Sequence, residues 1–230
     1  MRYYQIDRTS EIKIIGRKDG MSQVERIEDS TDETKNYIDF KNHFSGYNPD
    51  FWQTQVKIFT LNPPVIKGRM RKNAKVTDIM WYGPVFDFLD HIYSEKYINI
   101  IKAFNIGNFK TFDFEIENIP EKYYLMFLET IILEEVDFNK SIVTTGYKVT
   151  NNLKYHTVNN LLEYKEFRQK NIISTFEKLA IPQKYLGKDI IETQATVQPF
   201  YSERLIDFLL DCGITGLAVK YNNSIQLEFV

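Results

Sequence analysis

Three carboxylates alternate with apolar residues in the segment 109–117, FKTFDFEIE, and no other pattern in the chain is better suited to chemistry. If this segment is a strand, Asp113, Glu115 and Glu117 share one face at intervals of about 7 Å, because side chains alternate along an extended chain. Carboxylates on one face can act jointly on a divalent cation, as they do in metal-dependent hydrolases. The same alternation is typical of the solvent side of an antiparallel strand, which is the interpretation we favour. Among functional roles, docking to a basic protein surface is favoured over catalysis, since no second cluster of site residues lies near it in sequence.

Histidine and cysteine add little further chemistry. His43, His91 and His156 are each isolated from a second ligand at metal-binding spacing, which indicates surface or hydrogen-bonded core residues. Cys212 is the only cysteine and is interpreted as a buried, inert thiol, because one thiol cannot build a disulfide framework or a thiolate zinc site. The sequence contains no GxGxxG, GxxxxGKS/T, HExxH or GxSxG motif. We therefore predict no enzyme activity, no catalytic residue, no metal ligand and no cofactor.

The segment 40–52, FKNHFSGYNPDFW, concentrates aromatic residues around turn-forming ones. Aromatic side chains in a loop commonly cover the edge of a core, and we favour that interpretation because large apolar patches are seldom left exposed. The alternative is a binding surface, in which case Tyr47 and Trp52 are the candidate partner-binding residues.

Charge and composition restrict the classes of partner. The formal net charge of -2 and a pI near 6.0 provide no general basic field, so neither nucleic acid nor a membrane is expected as a partner. The basic segment 67–75, KGRMRKNAK, is interpreted as a solvated loop, with phosphate contact as the alternative. The N-terminus lacks a continuous apolar signal region and no apolar run approaches about 20 residues, so a cytoplasmic protein is expected.

The C-terminal part of the chain has the clearest secondary-structure pattern. Ser202 is a favourable helix N-cap, the following apolar residues recur at three- and four-residue steps, and Gly213 is suited to end the helix. Residues 214–219 read as a strand, and alternation from Ile225 to Phe229 after Asn222-Asn223 predicts a terminal β-hairpin.

Elsewhere the periodicities predict a strand over 55–61 and a helical stretch over 150–180. Helices and strands alternate without a βαβα rhythm, which favours an α+β fold. We expect a mixed, mainly antiparallel sheet with several helices, and a C-terminal helix followed by a β-hairpin. The length suits a single domain over residues 1–230, with two lobes, 1–75 and 76–230, as the alternative.

Three segments carry a resemblance to a known family. They are TDI at 77–79, DFNKS at 137–141 and PFYSERLIDFLLDCGITGLAV at 199–219. In this order they resemble the myxobacterial-type family of bacterial polymorphic-toxin immunity proteins, formerly a domain of unknown function. The matching positions are Asp137, Ser141, Ser202, Glu203, Arg204, Leu205, Gly213, Thr215 and Gly216. The resemblance extends loosely over residues 75–219 and is specific in the last twenty or so of them.

The resemblance implies an immunity protein that binds a cognate bacterial toxin domain and neutralises it by occlusion. The partner-binding residues would then be Asp113, Glu115, Glu117, Tyr47 and Trp52. Two alternatives stay open: a metal-dependent hydrolase acting on nucleotide or nucleic acid, using these carboxylates with the Lys and Arg residues of 67–75, and a non-catalytic adaptor domain. The sequence gives no indication of the oligomeric state.

Overall fold

The computed structural model describes residues 1–18, 22–83, 86–147 and 150–230, and its fold is α+β, as the sequence predicts. The strands are β1 (Tyr3–Arg8), β2 (Val24–Arg26), β3 (Ile66–Met70), β4 (Ile79–Trp81), β5 (His91–Ser94), β6 (Phe109–Ile116), β7 (Tyr123–Leu128), β8 (Ile142–Thr145), β9 (Lys154–His156), β10 (Ser174–Ile181), β11 (Ile190–Ile191), β12 (Phe200–Ser202), β13 (Leu217–Val219) and β14 (Gln226–Phe229). The α-helices are α1 (Ile12–Ile15), α2 (Lys35–His43), α3 (Glu95–Ile101), α4 (Leu161–Lys170) and α5 (Glu203–Asp211). Short 3-10 helices span Ser30–Glu33, Trp52–Thr60, Leu133–Glu135 and Gln183–Tyr185. Within these described residues no helix has both the length and the apolar character needed to cross a bilayer.

The chain forms two compact units, and each draws on separate parts of the sequence. The first unit comprises Met1–Ile6, Thr130–Arg204 and Val219–Val230, and the second comprises Asp7–Glu129 and Leu205–Ala218. These boundaries differ from a division near residue 75, which lies inside the second unit. The single domain over residues 1–230 stays a prediction.

The second unit is built on a six-stranded sheet that closes on itself. Its strand order is β2-β3-β6-β7-β5-β4; β3 and β6 pair in parallel, and the other neighbours are antiparallel. Closure comes from the chain just after β4, because Tyr82 forms a parallel bridge with Val24 of β2. Two backbone hydrogen bonds hold this junction, from Gln23 N to Trp81 O at 2.8 Å and from Gly83 N to Val24 O at 3.0 Å. No edge of this sheet is therefore left open along these residues.

Alternation along the strands fills the inside of this closed sheet with apolar side chains. In β6, Phe112, Phe114 and Ile116 are buried, whereas Asp113 and Glu115 are exposed, which confirms the strand and the two faces predicted from the sequence. Burying each phenylalanine contributes about 1.5–3 kcal/mol relative to leaving it exposed. These side chains belong to one apolar cluster. Its other members lie in or beside α2, the 3-10 helix Trp52–Thr60 and the loop after β4: Tyr37, Phe40, Phe44, Phe51, Ile58, Phe86 and Leu89.

The first unit contains two smaller sets of paired strands. Strand β12 pairs antiparallel with both β1 and β11. The other set has the order β14-β10-β8-β9, in which β10 and β14 are parallel and the remaining pairs are antiparallel. Its apolar cluster packs α4 and the strands together and includes Phe138, Val143, Tyr164, Phe176, Leu179, Ile181, Phe200 and Ile225.

The predicted C-terminal hairpin is wrong, although α5 lies where the sequence places it. Asn223 adopts a left-handed φ of 63°, as a tight turn requires, but β14 pairs in parallel with β10 instead of with β13. This pairing packs Leu227 and Phe229 against the apolar cluster of the first unit. Tertiary burial therefore outweighs the local turn preference.

Two other sequence predictions are also wrong. The predicted strand over 55–61 is wrong: residues 55–60 belong to the 3-10 helix Trp52–Thr60, and Leu61 follows it in an extended conformation. Phe51, Gln55 and Ile58 are buried at four- and three-residue steps, which suits a helix. The stretch 150–180 is not one helical region. It contains β9, α4 and β10, and α4 is capped by Asn160, whose side chain accepts a hydrogen bond from Glu163 N at 2.9 Å.

Crowding inside the closed sheet leads to a testable expectation for Gly68. A Cβ at this position would lie 2.7 Å from Val24 Cγ1 and 2.8 Å from the Phe114 ring, so Gly68→Ala forces the core to shift. We expect the substitution to lower the free energy of unfolding by about 1–3 kcal/mol, measured by urea denaturation. Gly83→Ala is the matched control, since its nearest neighbour is Arg71 Nη2 at 3.6 Å. Equal losses for the two variants would contradict this packing argument.

Candidate functional site

The predicted carboxylate stripe lies on the outer face of the closed sheet, beside basic residues of β3. Asp113 and Glu115 are exposed on β6, and Glu117 follows its last residue. Lys67 is in register with Glu115 on the neighbouring strand, so the basic segment expected as a loop supplies a strand there. The Lys67 ammonium also lies 2.9 Å from Asp29, and the hydrogen bond with Asp29 raises the pKa of Lys67. The carboxylates therefore belong to a surface of alternating charge rather than to a wholly acidic one.

The same arrangement continues on the next strand. Arg69 Nε donates to Glu25 Oε1 on β2 at 2.5 Å, and this hydrogen bond lowers the pKa of Glu25.

The spacing of the carboxylate stripe does not suit a metal ion. Residues two apart on a strand are separated by about 7 Å, whereas a calcium ion needs oxygen ligands at about 2.3–2.6 Å. Among the described residues there is no group of three or more His, Cys, Asp or Glu side chains arranged to hold a metal ion.

A small pocket in the second unit is lined by paired charges. The space between its walls is about 180 Å³ including open solvent, and none of it forms an enclosed cavity large enough for a water molecule. Arg26 pairs with Asp32, and Lys67 pairs with Asp29, so the charges on its wall are already matched. Its size and charge balance do not suit a nucleotide or an organic cofactor.

The aromatic segment divides between core and surface. Phe40, Phe44 and Phe51 are fully buried in the closed sheet, whereas Tyr47 is 97% exposed. Trp52 is partly buried against the same core. The core-covering interpretation is therefore confirmed for most of this segment, whereas Tyr47 faces solvent and its binding role stays a prediction.

Phe88 also exposes an aromatic side chain beside Trp52, and no pattern in the sequence predicts it. Its backbone adopts a left-handed φ of 66°, which is strained for a bulky side chain, and the side chain is 39% exposed. Its ring stacks on Phe51 with centroids 4.1 Å apart and meets Trp52 edge-on at 4.9 Å. We name Tyr47, Trp52 and Phe88 the aromatic platform.

Asp87 ties the two loops of the aromatic platform together. Its carboxylate accepts a hydrogen bond from Gly46 N at 2.6 Å, and its backbone N–H donates to Phe44 O at 2.8 Å. After Asp87 the chain proceeds to β5. The hydrogen bonds hold Tyr47 and Phe88 on a fixed base, which suits recognition of another molecule better than a mobile loop does.

The segments that carry the family resemblance lie in structural networks. Asp78, from the TDI segment, accepts hydrogen bonds from Thr215 N and Thr215 Oγ1, both at 2.8 Å, and from Ser94 Oγ at 2.7 Å. Ser94 in turn caps α3 by accepting from Tyr97 N at 3.1 Å. Gly216 has a φ of 90° and faces Ile79 O so closely that a Cβ would collide with it. The TDI and GITG segments thus fix each other.

The DFNKS segment and the start of the segment 199–219 form similar hydrogen-bond networks in the first unit. Ser141 Oγ donates to Asp137 O at 2.8 Å and accepts from Ala180 N at 3.0 Å, which joins the DFNKS turn to β10. Asp189 is fully buried and accepts from Ser202 Oγ at 2.6 Å, while Arg204 donates to both of its carboxylate oxygens at 2.6 Å. These residues hold the scaffold together.

The histidines are placed apart from one another. Burial lowers the pKa of His43 and lowers that of His91 to about 4; in each case a nearby cation, Lys57 or Arg8, acts in the same direction. His156 Nε2 lies 2.9 Å from Thr145 Oγ1. Cys212 is partly exposed rather than buried, and its thiol is free.

Comparison of the chain with protein-family models gives no match, and comparison with curated protein sequences gives none either.

The buried Asp189 network yields a stability prediction. Ser202→Ala removes one of the donors to a fully buried carboxylate, and a hydrogen bond to a charged group contributes about 1.5–3 kcal/mol. We expect the free energy of unfolding to fall by roughly that amount in urea denaturation. Ser10→Ala, at an exposed position, is the control and should have almost no effect. A loss no larger than that of the control would show that the Ser202 hydroxyl does not support Asp189.

Burial of His91 yields a prediction for acid stability. The pKa of His91 is lowered from an ordinary value near 6.5 to about 4, so the unfolded chain binds the proton more readily than the folded one. The contribution of His91 to stability is therefore complete above about pH 6.5 and is lost as the pH falls towards 4. We expect His91→Gln to lose less stability than the wild type between neutral and acidic pH, measured by urea midpoints. Parallel losses in both proteins would contradict this assignment.

Proposed function

We propose that this protein is an immunity protein, which binds a cognate bacterial toxin domain in the cytoplasm and neutralises it by occlusion. The residues shared with the myxobacterial-type immunity family support the class of function. The aromatic platform, with Tyr47 97% exposed and Phe88 in a strained conformation, is the observation that carries a binding role. Exposed aromatic residues on a rigid base are typical anchors of protein–protein contacts.

The carboxylate stripe has a secondary part in this proposal. Lys67 and Arg69 lie near Glu115 and Glu117 and partly balance their charge. A basic partner would therefore gain little binding energy from contact with either carboxylate. Charged residues at the rim of an interface change the association rate and the choice of partner more than they change the final affinity. Asp113, Glu115 and Glu117 would thus steer a basic toxin surface, while Tyr47 and Phe88 supply the anchoring contacts, with Trp52 supporting Phe88.

The alternative of a metal-dependent hydrolase acting on nucleotide or nucleic acid uses the same carboxylates. Their outward alternation and their basic neighbours favour a charged surface over an ion site. Titration with Mg²⁺ or Mn²⁺ separates the two proposals, because saturable binding that is lost in Asp113→Asn, Glu115→Gln would favour the enzyme. An adaptor domain, the remaining alternative, would bind a partner without protecting a cell.

The decisive experiment is co-expression with the product of the adjacent upstream gene. An immunity protein rescues the cell from growth arrest and can be purified in complex with the toxin domain. The failure of both rescue and complex formation, with this product and with other secreted toxins, would contradict the proposal. A complex that gives no rescue would favour the adaptor domain.

The aromatic platform gives this experiment a residue-level prediction. Tyr47→Ala should weaken the complex by about 2 kcal/mol, or roughly thirtyfold in Kd by titration calorimetry, because a central aromatic anchor is lost. Its melting temperature should stay near that of the wild type, since the Tyr47 side chain is almost wholly exposed. Tyr155→Ala, which removes an exposed tyrosine of the first unit, should leave toxin affinity unchanged. If Tyr155→Ala weakens the complex and Tyr47→Ala does not, the toxin contact does not lie on the aromatic platform.

A further inference from the structure

A second surface with unusual exposure lies in the first unit, at the end of the sheet that contains β9. Ile172 and Ile173 connect α4 to β10 and are 82% and 63% exposed. Tyr147 and Tyr155 are also large residues exposed in this region. We name these four residues the β9 surface. Adjacent isoleucines in contact with water are costly, and an exposed apolar group of this kind commonly marks a protein–protein contact.

The strand register brings the β9 surface together. Ser174 at the start of β10 pairs with Thr145 at the end of β8, and Thr145 pairs with Lys154 at the start of β9. Ile173 precedes this row and Tyr147 follows it two residues after Thr145. Both residues therefore lie at the same end of the sheet, where β9 begins.

The loop that carries Tyr147 is held by its own hydrogen bonds. Asn152 Oδ1 accepts from Tyr147 N at 2.7 Å and from Thr150 Oγ1 at 2.8 Å. Gly146 has a φ of 81°, and a Cβ there would collide with the Asn152 carbonyl, so the glycine is required for this close approach. The described part of the loop is thus braced around Tyr147 before any partner arrives.

Strand β9 also offers backbone groups to a partner. It is the last strand in the order β14-β10-β8-β9, and its only backbone pairing with described residues is to β8. An edge strand presents N–H and C=O groups that an extended peptide can pair with as an added strand.

The charge around the β9 surface is opposite to that of the whole protein. Residues 150–175 contain four basic residues and two acidic ones, in a chain with a net charge of -2. Lys154 and Lys170 are exposed, and neither forms an ion pair with another described residue. An acidic partner would therefore find a complementary field here, and would gain affinity most strongly at low salt.

We propose that the β9 surface binds an acidic, extended segment of another protein, which pairs as an additional strand along β9. Its apolar side chains would cover Tyr155, and its carboxylates would face Lys154 within the local positive field. The Ile172–Ile173 pair, two strands away at the start of β10, lies outside the reach of a strand paired along β9. This site goes beyond the proposed function, because it lies in the first unit and the aromatic platform lies in the second.

Other occupants fit the β9 surface less well. A second copy of the chain would bring its own basic residues to this edge, and lysine on a short edge strand discourages self-pairing. Single-stranded nucleic acid uses several aromatic rings for stacking, whereas two of the four residues here are isoleucines. A lipid surface of anionic headgroups would suit the charges but offers no ladder of donors and acceptors for the β9 backbone.

The experiment uses the full chain and a synthetic peptide of alternating Glu and Val, about ten residues long, which matches strand addition. We expect saturable binding by fluorescence anisotropy that weakens with added salt, together with slower hydrogen exchange of amides in β9. A control peptide of alternating Lys and Val, which carries the opposite charge, should not bind. A Glu/Val peptide with N-methylated backbone, which keeps the charges but cannot form the ladder, should bind about tenfold more weakly or worse.

Matched variants locate the site. Tyr155→Glu should weaken the Glu/Val peptide about tenfold or more, since it removes the apolar contact on β9 and adds repulsion. Val197→Glu changes a residue that is 94% exposed between β11 and β12, and should leave binding within about twofold. Absence of binding, equal binding of the Lys/Val or N-methylated peptide, or equal effects of the two variants would overturn the proposal. Binding to vesicles containing anionic phosphatidylserine, without binding to the peptide, would reassign the surface to lipid.

Discussion

Asp78 accepts hydrogen bonds from groups that lie far apart in the sequence, and the second unit depends on this convergence. Through Ser94 it reaches the cap of α3, and through Thr215 it fixes the segment that follows α5. The Asp78 carboxylate is only partly buried, so its role is to join distant segments through several hydrogen bonds rather than to supply a large energy through any one of them. One side chain therefore ties the start of β4, the end of β5 and the chain after α5 to a common point.

Asp189 performs the corresponding task in the first unit, where it is fully buried between Ser202 and Arg204. The residues that resemble the immunity family are thus largely those that satisfy one of these two carboxylates or make close backbone contacts. A sequence motif made of caps, turns and buried ion pairs identifies a scaffold. The surfaces available to a partner, such as the aromatic platform and the β9 surface, are formed by residues outside those motifs.

Local periodicity explains how much of the structure could be predicted. The alternation of β6 and the apolar face of α5 each reflect one buried side of one element, so the sequence alone locates them. The parallel pairing of β14 with β10 depends on residues far apart in the chain, and no local pattern encodes it. The candidate site divides in the same way: the exposure of Tyr47 follows from a turn, whereas the conformation of Phe88 follows from the packing of Phe51 beneath it.

Closure of each unit by residues 205–230 has a consequence for how the protein is made. The second unit needs Leu205–Ala218, and the first needs Val219–Val230 in addition to its N-terminal strand. On a ribosome, residues 7–129 can collapse early, yet neither unit can be completed until this last stretch has left the exit tunnel. An intermediate in which the apolar cluster of the first unit is incomplete must therefore persist until these residues are available, since Ile225, Leu227 and Phe229 belong to or pack against that cluster.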